Sequence, residues 1–553
     1  MLEPTRNPLL LPEIICNVLS RLGPRELLQC ACLNTTWNTL ALPKLYEGTM
    51  YDMQFRTPDI TSLNCLHVSS PERFARNLNF VKHLLIAPEC PVRKQTFQAP
   101  SRIESLEYLR FLVRPDYAKR LLANCRGFKS LMIPFGIKAK HKATIYFELM
   151  LTESVEFLAI DDSYCRTLAS VSFADPVNRF CGIRALTIYK SGTIFDVADM
   201  CAVINKCDLT VFHLEDSGEP EHMTIDHLTQ VIQVLVNQKN LESLALVMPG
   251  LSDVFGAVVG KESPWPNLKV LQLGPRDKTV GEMNWTVRLP KLSKLESLFL
   301  AGINPLLSAV AHNAGLKDRL RSLHVTLFTF DDAKDIIDVL PGCKALQHLN
   351  LGELSVRPSI LLSELFRHFP RLPGLECLVL DWSFHVDGIQ QLATQCPLLK
   401  ILKLTAAEFT ISPDILRKMS PFCNLKTLKI YSLELDDPIE LRRGEIFQQL
   451  VDEWRRVFPQ IQHTPSVFME VREEELEEHI REEERVGGFP PFSFENTRML
   501  LGRMRNALGY RTCGDDSLEE ILQCKLETEI VGWPVIPLWA YEFPQSYSFR
   551  EGQ

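Results

Sequence analysis

Leu346-Gln347-His348-Leu349-Asn350-Leu351 carries the spacing L-x-x-L-x-L, and the same spacing returns along the chain at nearly constant intervals. It recurs as Leu241-Leu244-Leu246, Leu268-Leu271-Leu273, Leu295-Leu298-Leu300, Leu320-Leu323-Val325, Leu375-Leu378-Leu380, Leu399-Leu402-Leu404 and Leu425-Leu428-Ile430. From residue 241 onward, successive first positions differ by 27, 27, 25, 26, 29, 24 and 26. Single matches are cheap in a leucine-rich chain, but eight evenly spaced ones mark an internal repeat.

Looser copies reach backward through Leu209-Phe212-Leu214, Ile183-Leu186-Ile188, Val155-Leu158-Ile160, Phe128-Leu131-Ile133 and Val81-Leu84-Ile86. Leu106-Leu109-Phe111 is a degenerate candidate, bringing the expected count to about fourteen. The closing L-x-L of each unit alternates like a short strand, leucines to one side and the intervening residues to the other. Between strands lie runs at helical spacing, such as residues 225 to 236 with Leu228, Ile232 and Leu235, or residues 360 to 369 with Leu362, Leu365 and Phe366. One strand-turn-helix unit cannot hide its apolar side, but parallel neighbours bury it continuously. Three large aliphatics per unit at ~2 kcal/mol each give ~6 kcal/mol per repeat before chain entropy is subtracted.

Residues 81 to 435 therefore resemble the leucine-rich-repeat family. The repeat length, with cysteines ahead of the strands, is similar to its cysteine-containing subclass. The resemblance implies an α/β solenoid, a horseshoe whose parallel strands line a concave sheet. Cys125, Cys181, Cys207, Cys343, Cys396 and Cys423 each fall two or three residues before a repeat's first apolar position. Zinc sites need paired ligands at C-x-x-C spacing, which these lack, so they read as small buried hydrophobes.

Ahead of the repeats, Ile14, Ile15, Val18, Leu19 and Leu22 follow helical spacing and form one wide stripe. Gly23-Pro24 ends that helix and starts a second carrying Leu27, Leu28 and Ala31, while Asn34 caps a third that holds Trp37 and Leu40 and stops at Pro43. Three short helices bury too little to stand alone, so either the first repeat or a partner covers them. Physical reasoning leaves a solenoid cap and a docking knob both open.

The segment resembles an F-box of the fungal type in three stretches: Leu11-Pro12-Glu13-Ile14, Leu22-Gly23-Pro24-Arg25-Glu26-Leu27-Leu28 and Asn34-Thr35-Thr36-Trp37-Asn38. It departs in lacking a residue often found between Pro and Glu, and in Thr35 where a basic residue is common. The resemblance implies docking on a Skp-family adaptor, and through it a cullin-RING ubiquitin ligase, with Leu11, Pro12, Ile14, Ile15, Leu19, Leu27, Leu28 and Trp37 contributing to the interface. It implies a substrate receptor of an SCF-type ligase, with a repeat scaffold working outside any ligase as the alternative.

On the concave face, alternation turns outward His213, Glu215, Gln272, Phe299, His324, Asn350, Asp381, Trp382, Lys403, Lys429 and Tyr431. Of these, Phe299, His324, Asn350, Asp381, Trp382, Lys403, Lys429 and Tyr431 are the candidate contacts to a protein target. Lys403 and Lys429 occupy the same position in consecutive units, a basic stripe suited to an acidic or phosphorylated segment.

The expected organisation is an F-box over 1–50, linker helices over 51–80, repeats over 81–435 and a cap or tail over 436–553. The tail holds a charge run at 472–485, read as a solvated helix, and Trp533, Trp539, Tyr541 and Phe543, which either cap the last repeat or stay mobile. At 553 residues, 46% apolar, with net charge −8, the composition is globular and lacks the basic footprint of a nucleic-acid binder. The apolar stretch from Leu9 is broken by Pro12 and Glu13, so no signal peptide is expected, nor a membrane span. Phosphate-loop, dinucleotide, zinc-protease and nucleophile-elbow motifs are missing. The expectation is a non-enzymatic, cytoplasmic or nuclear protein without metal or cofactor.

Overall fold

Wherever L-x-x-L-x-L is described in the structure, its last four residues are a parallel strand, and within each of the chain's two compact units every strand pairs with the next in sequence. A computed structural model describes residues 11–20, 22, 24–47, 77, 80, 83–85, 130–133, 155–170, 182–190, 196–216, 223–247, 265–274, 292–301, 310, 312–326, 336, 339–352, 369–380, 386–435, 444–461, 504 and 508. The chain divides into two compact units, one running to Leu268 and one starting at Lys269.

The first unit opens with three helices, α1 (Pro12–Leu19), α2 (Pro24–Ala31) and α3 (Thr35–Glu47). It continues through β1 (His83–Leu85), β2 (Ser130–Ile133), β3 (Phe157–Asp161), β4 (Ala185–Lys190), β5 (Val211–Asp216) and β6 (Ser243–Val247). The first leucine of each final L-x-L pair is in register: Leu84 with Leu131, Leu131 with Leu158, Leu158 with Leu186, Leu186 with Phe212 and Phe212 with Leu244. The strand β1 pairs directly with β2. The degenerate candidate Leu106-Leu109-Phe111 lies outside the described residues.

The second unit repeats the design through β7 (Val270–Gly274), β8 (Ser297–Ala301), β9 (Ser322–Thr326), β10 (His348–Gly352), β11 (Cys377–Leu380), β12 (Ile401–Ile411) and β13 (Thr427–Leu435). Leu271, Leu298, Leu323, Leu349, Leu378, Leu402 and Leu428 form one in-register row, and all are buried. Ahead of β3, β4, β5 and β7 to β12, one carbonyl accepts two amides of the next repeat: Lys269 O takes Glu296 N–H at 2.8 Å and Ser297 N–H at 3.0 Å. That bifurcated step satisfies backbone groups which leucine burial would otherwise strand.

Packing of the intervening helices follows the apolar period. The helix α4 (Cys165–Ser170) follows β3 and α5 (Val197–Asn205) follows β4, while α6 (Ile225–Val236) buries Leu228, Val231, Ile232 and Leu235. Thr224 caps α6 by accepting the His227 N–H. Of the repeat cysteines, Cys207, Cys343 and Cys396 are buried and Cys423 is exposed. The Cys207 and Cys343 thiols donate to the carbonyls of Val203 and Val339, four residues earlier. Burial pushes the Cys343 thiol up to about 11 and that of Cys396 to about 12, so both stay protonated at neutral pH. Cys125 and Cys181 lie outside the described residues.

One expectation needs correction. The third helix does not stop at Pro43 but carries it internally to Glu47. The side chains of Ala41, Leu42 and Leu45 pack in the three-helix core, and that packing offsets the backbone hydrogen bond proline removes. After α7 (Ala314–Lys317), α8 (Val386–Gln395) and α9 (Pro413–Lys418), a further helix, α10 (Gly444–Val457), packs on α9.

The helix α10 buries Phe447, Leu450, Val451, Trp454 and Val457 along one face. Phe458 stacks on Phe422 at 5.6 Å and meets Trp454 at 4.6 Å between ring centroids. The Arg456 guanidinium donates to the carbonyls of Leu416 and Met419 at the end of α9, and Glu453 holds it at 2.6 Å. These contacts close the last repeat. The charge run at 472–485 and the aromatics from Trp533 to Phe543 lie outside the described residues, as do residues 51–76 of the expected linker.

Candidate adaptor and target interfaces

The stripe read on α1 divides into two faces. Ile15 and Leu19 point inward, fully buried, and meet Leu27 and Ala31 of α2 and Ala41 of α3. Trp37 is half-buried against that core, with Leu22, Cys30, Leu40, Leu42 and Leu45 around it. Asn34 accepts the Trp37 N–H at 3.0 Å as the cap of α3, and the Asn38 side chain donates to Ala31 O at 2.7 Å, tying α2 to α3. The helices thus form a small core from their own residues.

Other apolar side chains of this segment are left in solvent. Leu11 is 38% exposed, Ile14 38%, Val18 40%, Leu28 55% and Leu33 64%. Only one other large apolar side chain among the described residues is as exposed, Leu398. Five of six such side chains within twenty-three residues is a concentration of the kind that marks an interaction surface. Pro12 is exposed beside them. Of the adaptor residues expected from sequence, Leu11, Pro12, Ile14 and Leu28 therefore stand outward, while Ile15, Leu19 and Leu27 serve the internal core. Val18 and Leu33 were not in that set; Val18 is signalled by its i,i+4 relation to Ile14, which puts the two on one helix face.

The F-box domain family matches residues 8–43. The chain carries an F-box domain. The match spans α1, α2 and most of α3, so the F-box is the segment that carries these exposed apolar side chains.

Among curated proteins no relative matches. Solved structures that match the chain include the Rad7 and Elc1 complex of yeast, 15% identical, covering 56% of this chain and 80% of that one at a TM-score of 0.32. The leucine-rich-repeat protein LegL7 of Legionella pneumophila is 14% identical over 53% of this chain and 97% of its own, also at 0.32. An internalin of Listeria monocytogenes is 14% identical over 70% and 93%, at 0.25. The solenoid-like fold behind the F-box rests on this chain's own strand registers.

On the sheet face opposite the leucines, the two units differ. In the first, the middle row Ala159, Thr187, His213 and Ala245 is buried throughout, and burial holds the His213 imidazole down to about 4. Alternation thus gives the direction of these side chains but not their access to solvent. In the second, the row runs Gln272, Phe299, His324, Asn350, Val379, Lys403 and Lys429, each in register with the next.

Gln272 and Phe299 are buried, with the Phe299 ring 5.7 Å from that of His324. His324, Asn350, Val379 and Lys403 are half-exposed. Burial, with the neighbouring His348 adding to it, lowers the pKa of His324, so the ring is neutral at pH 7. His348 itself lies with Nδ1 3.2 Å from the Ser322 hydroxyl. Lys429 and Tyr431 lie on β13, whereas Asp381 and Trp382 fall outside the described residues. Among the described residues no three metal-ligating side chains cluster, and no helix is long and apolar enough to cross a membrane.

Proposed function

We propose that this chain is the substrate-recognition adaptor of an SCF-type ubiquitin ligase: its F-box docks on a Skp-family adaptor, and through it a cullin-RING core, while the repeats hold a target protein. The observation that carries the reading is the F-box at residues 8–43 with its five apolar side chains turned to solvent, next to a core already complete without them. A domain that closes its own core and still exposes leucines has surface to bury on something else. F-box proteins in general are adaptors, so transfer of ubiquitin belongs to the recruited enzymes and not to this chain.

In this reading residues 1–50 dock, 51–80 link and 81–435 recognise the target. The helix α10 ends the array within 436–553. The protein acts in the cytoplasm or nucleus, where such ligases work. Co-expression with a Skp-family adaptor followed by size exclusion tests the docking step. A stoichiometric complex that forms with wild type and is lost on Ile14→Gln/Leu28→Gln supports the reading; a wild-type chain that elutes alone favours a repeat scaffold acting outside any ligase.

A further inference from the structure

We propose that the second unit recognises an extended acidic segment of its target, laid across strands β9 to β13 with its carboxylates or phosphates toward Lys403 and Lys429. This rests on the target-holding role proposed above for the repeats and names the chemistry of what they hold.

Register places His324, Asn350, Val379, Lys403 and Lys429 at one position on five consecutive strands. At ~4.8 Å per strand the row spans about 19 Å, the reach of about six residues of extended chain. Its chemistry changes along that line. Phe299, the preceding position, is buried and closes one end. Neutral His324 and half-exposed Asn350 offer donors and acceptors to a passing main chain, and Val379 offers an apolar contact.

The row then turns basic over two adjacent strands. Lys426 adds positive charge just ahead of β13, whereas the ammonium of Lys400, just ahead of β12, is paired with Glu376 at 2.7 Å. Positive charge concentrated at one end of this row, in a chain of net charge −8, fits a partner of opposite sign.

Full-length protein co-purified with a Skp-family adaptor provides the test, with two fluorescein-labelled nonapeptides as probes, one alternating serine and glutamate, the other serine and lysine. Fluorescence anisotropy should show the acidic probe binding at least tenfold more tightly than the basic one. Lys403→Glu/Lys429→Glu should abolish that preference, Lys403→Arg/Lys429→Arg should retain it, and the exposed pair Lys344→Glu/Lys418→Glu should leave it within twofold of wild type. Equal affinity for both probes overturns the proposal, as does an equal loss in the Lys344/Lys418 variant. Should the adaptor fail to co-purify while the chain alone shows the full pattern, the ligase reading falls and this one stands.

Discussion

Replacing Ile14, Val18 and Leu28 together by glutamine removes apolar surface from the F-box without touching its core, since all three side chains face solvent and Ile15, Leu19 and Leu27 remain in place. Full burial of such a side chain is worth about 2 kcal/mol. With 38%, 40% and 55% of the three still exposed, docking stands to gain about 0.8, 0.8 and 1.1 kcal/mol from them. Losing all three costs just under about 3 kcal/mol, or about a hundredfold in Kd. Calorimetric titration of the purified variant with a Skp-family adaptor measures this directly, and far-ultraviolet circular dichroism verifies that the helices persist. The companion Ile15→Gln acts differently, because it places an amide in a closed core and should unfold the three helices. An affinity for the triple variant within threefold of wild type, with helices intact, would refute the assignment of this face.

Trp454 is fully buried between α10 and the last repeat, so Trp454→Ala should destabilise the second unit by about 3–5 kcal/mol and lower its urea midpoint, while adaptor affinity stays unchanged. His213 is neutral in the fold, with a pKa of about 4 against 6.5 when exposed, so the unfolded chain takes up its proton first as the pH falls. Its contribution to stability is therefore complete above pH 6.5, declines between 6.5 and about 4, and is about 2 kcal/mol smaller at pH 5 than at pH 7. His213→Gln should narrow the gap between urea midpoints measured at those two pH values, and an unchanged gap would count against the burial of that ring.

The repeats were legible because burial of Leu271, Leu298 and their register mates leaves a periodic mark that spacing alone reveals. Less of the interfaces was legible. On α1 the apolar stripe reads as one face, since spacing cannot tell Ile15, which closes the core, from Ile14, which faces out; that division depends on where α2 and α3 pack. On the sheet, alternation points Phe299 and His213 away from the leucines, yet both are buried, because direction is a local property and accessibility is not. The helix α10 is less legible for a third reason: it follows no L-x-x-L-x-L, and its only mark is the helical spacing of Phe447, Leu450, Val451, Trp454 and Val457.

Proximity labelling in cells, comparing wild type with the Ile14→Gln/Val18→Gln/Leu28→Gln variant, tests most directly whether docking and recognition are joined in one chain. The account predicts that both forms capture a shared protein through the repeats, that only wild type also captures the Skp-family adaptor, and that the shared protein accumulates when docking is lost. Identical abundance of every captured protein in the two cell lines, with the adaptor labelled by neither, would contradict it.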